Sequence, residues 1–276
     1  MEQMSWSLPE DTLIWDRTQQ PDEGDVLYPF ALEELLCRLV GEGDAPMVHL
    51  WRHPRAFVMG LRDSRLPYAR KAKRWLEDQG YSVAVRNSGG AAVPLDLGVV
   101  NVSLILPKSS GQIDFHHDFE TMFRLMRDAL HSVTPDVAKG EIMGSYCPGD
   151  YDLSIDGRKF CGIAQRRQAR AFVVQAFVVV SGSGKAKAGL AQEFYRIAAE
   201  GAEAGSYPSV YEDKMASLEE LVGLNDVQRF IDAVKQTVKS HKLADTGAEG
   251  RTLRIPDETQ IIEMIASMKS RYGIEG

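Results

Sequence analysis

Cys147 lies in Gly144-Ser145-Tyr146-Cys147-Pro148-Gly149-Asp150-Tyr151-Asp152, a stretch crowded with glycine and proline and without apolar periodicity. A cysteine kept for packing sits inside an apolar pattern, as Cys37 does at the edge of its helical stripe. Cys147 instead stands where a loop on a rigid scaffold presents a side chain to a ligand. The chemistry open to it is nucleophilic: a free thiol ionises with a pKa of about 8.5, so a neighbouring cation is the expected activator. Lys159 is the candidate, brought back toward the loop by an intervening hairpin. An inert loop cysteine beside a surface lysine accounts for the same spacing equally well. Cys161 is the rival nucleophile, because simple alternation puts Lys159, Cys161 and Ile163 on one strand face. Its neighbours Phe160 and Ile163 favour packing.

A second constellation is Arg86-Asn87-Ser88-Gly89-Gly90, followed by Asp96-Leu97-Gly98 and then Asn101 and Ser103. Twin glycines let the backbone approach a ligand closely, or permit a tight turn. Asn101 and Ser103 share one face of an otherwise apolar strand, which calls for something polar to satisfy them. Ser181–Lys185 has the look of a phosphate loop, but Val179 and Ala186 stand where that pattern needs Gly and Ser or Thr, so it reads as a turn after a strand. No His-Glu-x-x-His or zinc spacing occurs, and His116-His117 reads as the start of a helix.

These residues need elements to hold them. Helical spacing covers Pro29–Val40, a segment from Asp63 or Ser64 to Gln79, Phe115–His131, Leu190–Ala202, Leu218–Val222, Val227–Val238 and Glu258–Met268. Strands are expected at Met47–Trp51, Ala56–Met59, Tyr81–Arg86 and Val99–Leu106. A hairpin joins Tyr151–Ile155 to Arg158–Ala164 through Asp156-Gly157, and a central strand follows at Phe172–Val180. Strands in hairpin groups without βαβ alternation favour an α+β fold. Pro208–Glu219 and Asp245–Arg251 read as surface loops.

The 276 residues carry a net charge of −7, with 44% apolar residues, an ordinary composition for a globular protein. The acidic balance argues against a nucleic-acid binder. No apolar run reaches membrane-spanning length. Three cysteines without a Cys-x-x-Cys pair, and an acidic N-terminus without a signal pattern, point to a reducing cytoplasmic setting.

The two constellations, in this order, resemble the biotin/lipoate protein ligase and octanoyltransferase superfamily. Arg86–Gly90 is similar to its Arg-x-Ser-Gly-Gly loop, Gly98–Ser103 to its Gly-x-x-Asn-x-Ser strand, and Asp152–Gln165 to its lysine strand. Ala91-Ala92 after the twin glycines, Leu95 where the ATP-dependent ligases carry a histidine nearby, and Cys147 itself depart from those ligases. They resemble the octanoyltransferases, and within them the lipoyl amidotransferase branch.

The resemblance implies a mixed central β-sheet flanked by helices, with a catalytic domain over 30–245 and a C-terminal helical extension over 246–276 of the same globule. It implies that Cys147 carries an acyl thioester and that Lys159 favours the thiolate. Arg86, Ser88, Gly89, Gly90, Gly144, Ser145 and Gly162 would bind the acyl group, with no cofactor and no metal. The implied partners are the octanoylated glycine cleavage H protein and the lipoyl domains of 2-oxo-acid dehydrogenase complexes, with no nucleic acid or membrane. An acyl carrier protein as donor, or an ATP-dependent ligation, are the alternatives. Because such partners are acidic, docking would use a basic patch, expected at Arg166, Arg167 and Arg170.

Overall fold

A computed structural model describes residues 6–21, 24–108, 115–203, 205–243 and 251–274. Its main sheet has seven strands in the order β1 (Leu13–Asp16), β2 (Met47–Trp51), β6 (Val99–Pro107), β10 (Ala171–Val179), β9 (Arg158–Arg167), β8 (Leu153–Ile155) and β7 (Ala138–Lys139). All neighbours pair antiparallel except β1 with β2. A smaller sheet orders β4 (Ser82–Val85), β3 (Arg55–Met59) and β5 (Val93–Asp96). The helices are α1 (Leu27–Glu42), α2 (Ala69–Glu77), α3 (Phe115–Leu130), α4 (Gly184–Ala198), α5 (Leu218–Val222), α6 (Val227–Ser240) and α7 (Glu258–Tyr272). This is the expected mixed sheet flanked by helices.

The main sheet is buried on both faces, which is why β6 and β10 read as almost unbroken apolar runs. Val100, Val102 and Leu104 pack into one cluster with Met122, Met126, Phe230 and Val234 of α3 and α6. Val99 and Ile105 point the other way, into a cluster with α1, α4 and the small sheet. Asn101 and Ser103 fall on that second side, as the alternation requires. Ile261 and Met268 of α7 join the same cluster.

The Asp156-Gly157 hairpin forms with both residues at positive φ, 51° and 71°, the pair a tight turn between twisted strands demands. Beside it the register slips: Ser154 opposes Lys159 but Leu153 opposes Cys161, leaving Phe160 as an extra residue in β9. Three strands escape the sequence pattern: β1, β5 and the two-residue β7. Gly182-Ser183 turns as expected, but α4 already starts at Gly184, with Ser183 Oγ accepting from Ala186 N at 3.1 Å. The segment 208–219 is anchored rather than a free surface loop. Val210, Met215, Ala216 and Ser217 are buried, and Ala216 N donates to the Lys159 carbonyl at 3.0 Å. Of the second expected loop, residues 245–250 lie outside the described residues.

Candidate active site

Cys147 adopts φ 48°, the left-handed region that a side chain with a Cβ rarely enters. Strain of this kind persists where the surroundings over-determine it, and the surroundings here are dense. Its side chain is 7% exposed, at the wall of a cavity between the main and small sheets. Ala91 N donates to Sγ at 3.1 Å and Arg86 Nη2 at 3.3 Å. The same Arg86 nitrogen donates to the Ala91 carbonyl at 2.9 Å, so one guanidinium ties the glycine loop to the sulfur. Gly90, at φ 92°, has to be glycine: a Cβ there would lie 2.7 Å from Sγ and 2.5 Å from Arg86 Nη2.

The glycine loop is held from behind as well. Ala92 N donates to Tyr195 Oη at 3.2 Å, Tyr195 donates to Asp63 Oδ1 at 3.0 Å, and Gly60 N donates to Asp63 Oδ2 at 2.8 Å. Burial pushes the Asp63 carboxyl above the usual carboxylate value, against the pull of those donors and of Arg86. Burial likewise holds the Tyr195 phenol well above its ordinary value.

Lys159 stands against the Cys147 loop, where its place after the hairpin puts it. Its ammonium donates to the carbonyls of Tyr146 at 2.9 Å and Cys147 at 2.6 Å, and pairs with Asp152 Oδ1 at 2.8 Å. Both charges of that pair are essentially unexposed. Burial raises the Asp152 carboxyl, with Lys159 opposing the rise. The cation at hydrogen-bond distance from Sγ is therefore Arg86, while Lys159 clamps the backbone that bends Cys147 into place. Asp152 stands in the lysine motif, but its part in this clamp was not legible from spacing.

The extra residue in β9 also separates the two cysteines. Phe160 and Cys161 both pack toward α3 and α6, while Gly162 and Ala164 line the cavity with Cys147. Cys161 thus faces away from Lys159, contrary to simple alternation, and burial raises its thiol far above the ordinary value. Cys37 is also buried, its thiol pushed up to about 12.

The other expected site residues divide by position. Arg86 and Gly162 line the inner cavity; a Cβ on Gly162 would strike the Phe177 ring at 2.5 Å. Ser88, Gly89, Gly90 and Gly144 line an outer cleft with Asp63, Pro148 and Tyr211, leading to the same loop. Ser145 lines neither: it is fully buried, its hydroxyl 3.5 Å from Asp152 Oδ2. The apolar wall of the cavity comes from Trp51, Val58, Val93, Leu95 and Phe177, of which the sequence motifs had singled out Leu95 alone. Of the expected basic patch, Arg166 pairs with Glu34 at 3.2 Å and Arg167 pairs with Asp118, leaving Arg170 exposed. Two of its three charges are neutralised within the chain.

A family model described as the lipoyl protein ligase A/B catalytic domain matches residues 25–239. The octanoyl-[GcvH]:protein N-octanoyltransferase of Geobacillus kaustophilus is 43% identical over 219 residues, 78% of this chain and 77% of that one. Its namesake in Oceanobacillus iheyensis is 39% identical over 262 residues, covering 92% and 90%. Among solved structures, lipoate-protein ligase A bound with ATP matches with a TM-score of 0.67 at 18% identity, over 96% of this chain and 99% of that one. A bi-partite lipoate protein ligase from Thermoplasma acidophilum gives 0.67 at 18% identity, over 98% of each. These two likenesses concern the fold.

Proposed function

This chain belongs to the lipoyl protein ligase A/B catalytic-domain family, and we propose that it transfers octanoyl groups between proteins in protein lipoylation through a thioester on Cys147. The donor is the octanoylated glycine cleavage H protein, the GcvH for which its relatives are named. The acceptor is a lysine on the lipoyl domain of a 2-oxo-acid dehydrogenase subunit. Residues 30–245 form the catalytic domain, and α7 belongs to the same body. The reaction runs in the cytoplasm and uses no cofactor; no helix among the described residues is long and apolar enough to cross a membrane.

The observation that carries this reading is the sulfur held by Ala91 N–H and Arg86 at the wall of an apolar cavity. Two donors aimed at Sγ favour negative charge there, the form that attacks a carbonyl. In the first half, Sγ attacks the carbonyl carbon of the donor's octanoyl-lysine amide. The C–N bond breaks, the donor amine leaves with the proton that the Cys147 thiol gave up on ionising, and the acyl chain stays on Cys147. In the second half, the acceptor amine attacks the thioester carbon, the C–S bond breaks, and the proton lost by the amine leaves as the thiolate returns to its donors. One amide is consumed and one is made, so no nucleotide has to drive the exchange. Lys159 and Asp152 keep the Cys147 carbonyl and φ fixed throughout.

Intact mass of the enzyme after incubation with octanoylated H protein tests this. One octanoyl mass, labile to hydroxylamine, should appear without ATP. Cys147→Ala should abolish it and Cys161→Ala should retain it. An adduct that needs ATP, or that follows Cys161, overturns the proposal.

A further inference from the structure

Charge is spread unevenly over this acidic chain. Residues 62–74 carry Arg62, Arg65, Arg70, Lys71, Lys73 and Arg74 against a single carboxylate, the buried Asp63. Lys71 reaches Glu200 at 3.7 Å and Lys73 reaches Glu77 at 2.6 Å. Arg62, Arg65, Arg70 and Arg74 are exposed and pair with no carboxylate among the described residues. Arg166 and Arg167 are the opposite case, their charges absorbed by Glu34 and Asp118.

The segment gains nothing locally from these charges. Arg70 and Lys71 stand in the first turn of α2, where the helix dipole favours anions, and no side chain at the N-cap accepts from that turn. Arg70 and Arg74 lie one turn apart, where like charges repel. By contrast α5, α6 and α7 begin on Ser217, Asp226 and Asp257, each accepting from its first turn. Four arginines kept against local preference point to a use outside the chain.

Their position supplies that use. Arg62 and Asp63 line the outer cleft with Gly89 and Gly90, on the way in to Cys147. Gly60 N donates to Asp63, and Gly60 approaches the Gly90 carbonyl so closely that a Cβ would lie 2.1 Å from it. The arginine segment is thereby fused to the glycine loop. Arg70 and Arg74 open onto a neighbouring hollow shared with Ser64 and Tyr68, and Tyr68 N is tied to the Ala198 carbonyl of α4 at 2.9 Å. Met143 and Tyr211, 77% and 56% exposed, border the cleft as well. Arginine, tyrosine and methionine are the side chains that protein interfaces favour over ordinary surface.

Resting on the acyl-transfer reading above, we propose that the arginine face formed by the turn Asp63–Arg65 and α2 is where the lysine-bearing protein substrate docks, through a carboxylate-rich surface beside its octanoyl-lysine. Donor and acceptor exchange with the same sulfur through the same cleft, so they use the face in turn. α2 has nine residues and is about 14 Å long. A footprint of about 800 Å² per partner covers it together with the cleft mouth. On a chain of net charge −7 this local field is what draws an acidic partner to the correct side.

The test pairs binding with transfer. Arg65→Glu combined with Arg70→Glu reverses two charges and places an anion in the first turn of α2, where it favours the helix. At low ionic strength, calorimetric titration with unmodified H protein should show affinity at least about tenfold weaker than wild type. The second-order rate of Cys147 acylation by octanoylated H protein should fall in step, and both deficits should shrink at high salt. Acylation by octanoyl-N-acetylcysteamine, an uncharged thioester, should stay within about twofold of wild type. Arg229→Glu combined with Lys239→Glu, both exposed on α6 across the main sheet, makes the same change in net charge and should bind H protein like the parent. Unchanged H protein affinity in the first variant overturns the face. So does an equal loss in the α6 variant or with the small thioester. Phosphatidylglycerol vesicles whose binding the first variant abolishes, with H protein affinity intact, would give the arginines to a membrane instead. If no donor acylates wild-type Cys147, the carrier reading fails, and the titration still decides the face.

Discussion

The two faces of the seven-stranded sheet are built from the same strands and obey different rules. Toward α3 and α6, β6 and β10 present Val100, Val102, Leu104, Val174 and Val178, a packed apolar layer. Toward α1 and the small sheet, the alternate positions of these strands present Asn101, Ser103 and Gln175, and β9 adds Lys159 and a glycine at 162. The first face is explained by burial alone, at about 25 cal/mol per Å² of apolar surface. The second spends stability. It holds a buried ion pair, a buried carboxylate network, a left-handed cysteine and an Asn101 amide nitrogen without a partner among the described residues. Departures from local rules that gather on one side of one sheet mark the side where a ligand completes the chemistry.

The sharpest way to break this contrast is to unbalance the ion pair. Asp152→Ala leaves the Lys159 ammonium buried without its counter-charge, so a loss of about 3–5 kcal/mol is expected. The loss is read by urea denaturation, together with a slower acylation of Cys147 in protein that remains folded. A neutral result would mean that Lys159 is not clamped as described. On the other face, Leu104→Ala should lower stability by about 2–5 kcal/mol. Its ratio of acylation rates across chain lengths should remain that of the parent, and a changed ratio would show that the two faces are mechanically coupled. The smallest effect concerns Asp63. The folded chain holds its proton more tightly than the unfolded chain does, so its contribution to stability is fully present below the ordinary carboxylate pKa. That contribution is lost as pH rises through the raised folded value. Asp63→Asn cannot titrate, so the stability of the variant minus that of the parent should climb from about pH 4 upward and then level off. A flat difference in urea midpoints would place Asp63 at its ordinary pKa.

Much of this architecture was legible because local chemistry and tertiary environment agree. The strand Val99–Leu106, the central run Phe172–Val180 and the Asp-Gly hairpin all stand within a residue or two of their patterns. β5 stayed hidden because Pro94 lies inside it, which is tolerable only because β5 is the edge of a three-stranded sheet. The helix after Gly182 was read late because Gly184 and Lys185 carry no apolar stripe; the Ser183 cap is what starts it. At the site, Cys147, Arg86 and the twin glycines were visible as residue types in unusual company. Which cation meets the sulfur was not, because that depends on where Lys159 finds Asp152 after folding. The cavity wall escaped for a related reason: Val58, Val93 and Leu95 are ordinary core residues until two sheets come together.

The extra residue in β9 has a further consequence. Phe160 sits between Lys159, aimed at the Cys147 loop, and Cys161, aimed at α3 and α6. Since strand side chains change sides at every step, the half-turn separating the clamp from the packing layer is set by a count of residues rather than by their chemistry. A substitution at Phe160 is a packing problem, graded by volume. Loss of the bulge itself is of another kind, because a ladder forced into regular register with every residue kept would turn Lys159 toward α3 and α6, away from Asp152. At this point in the chain the irregular register, more than the identity of any one side chain, decides which side of the sheet the clamp faces.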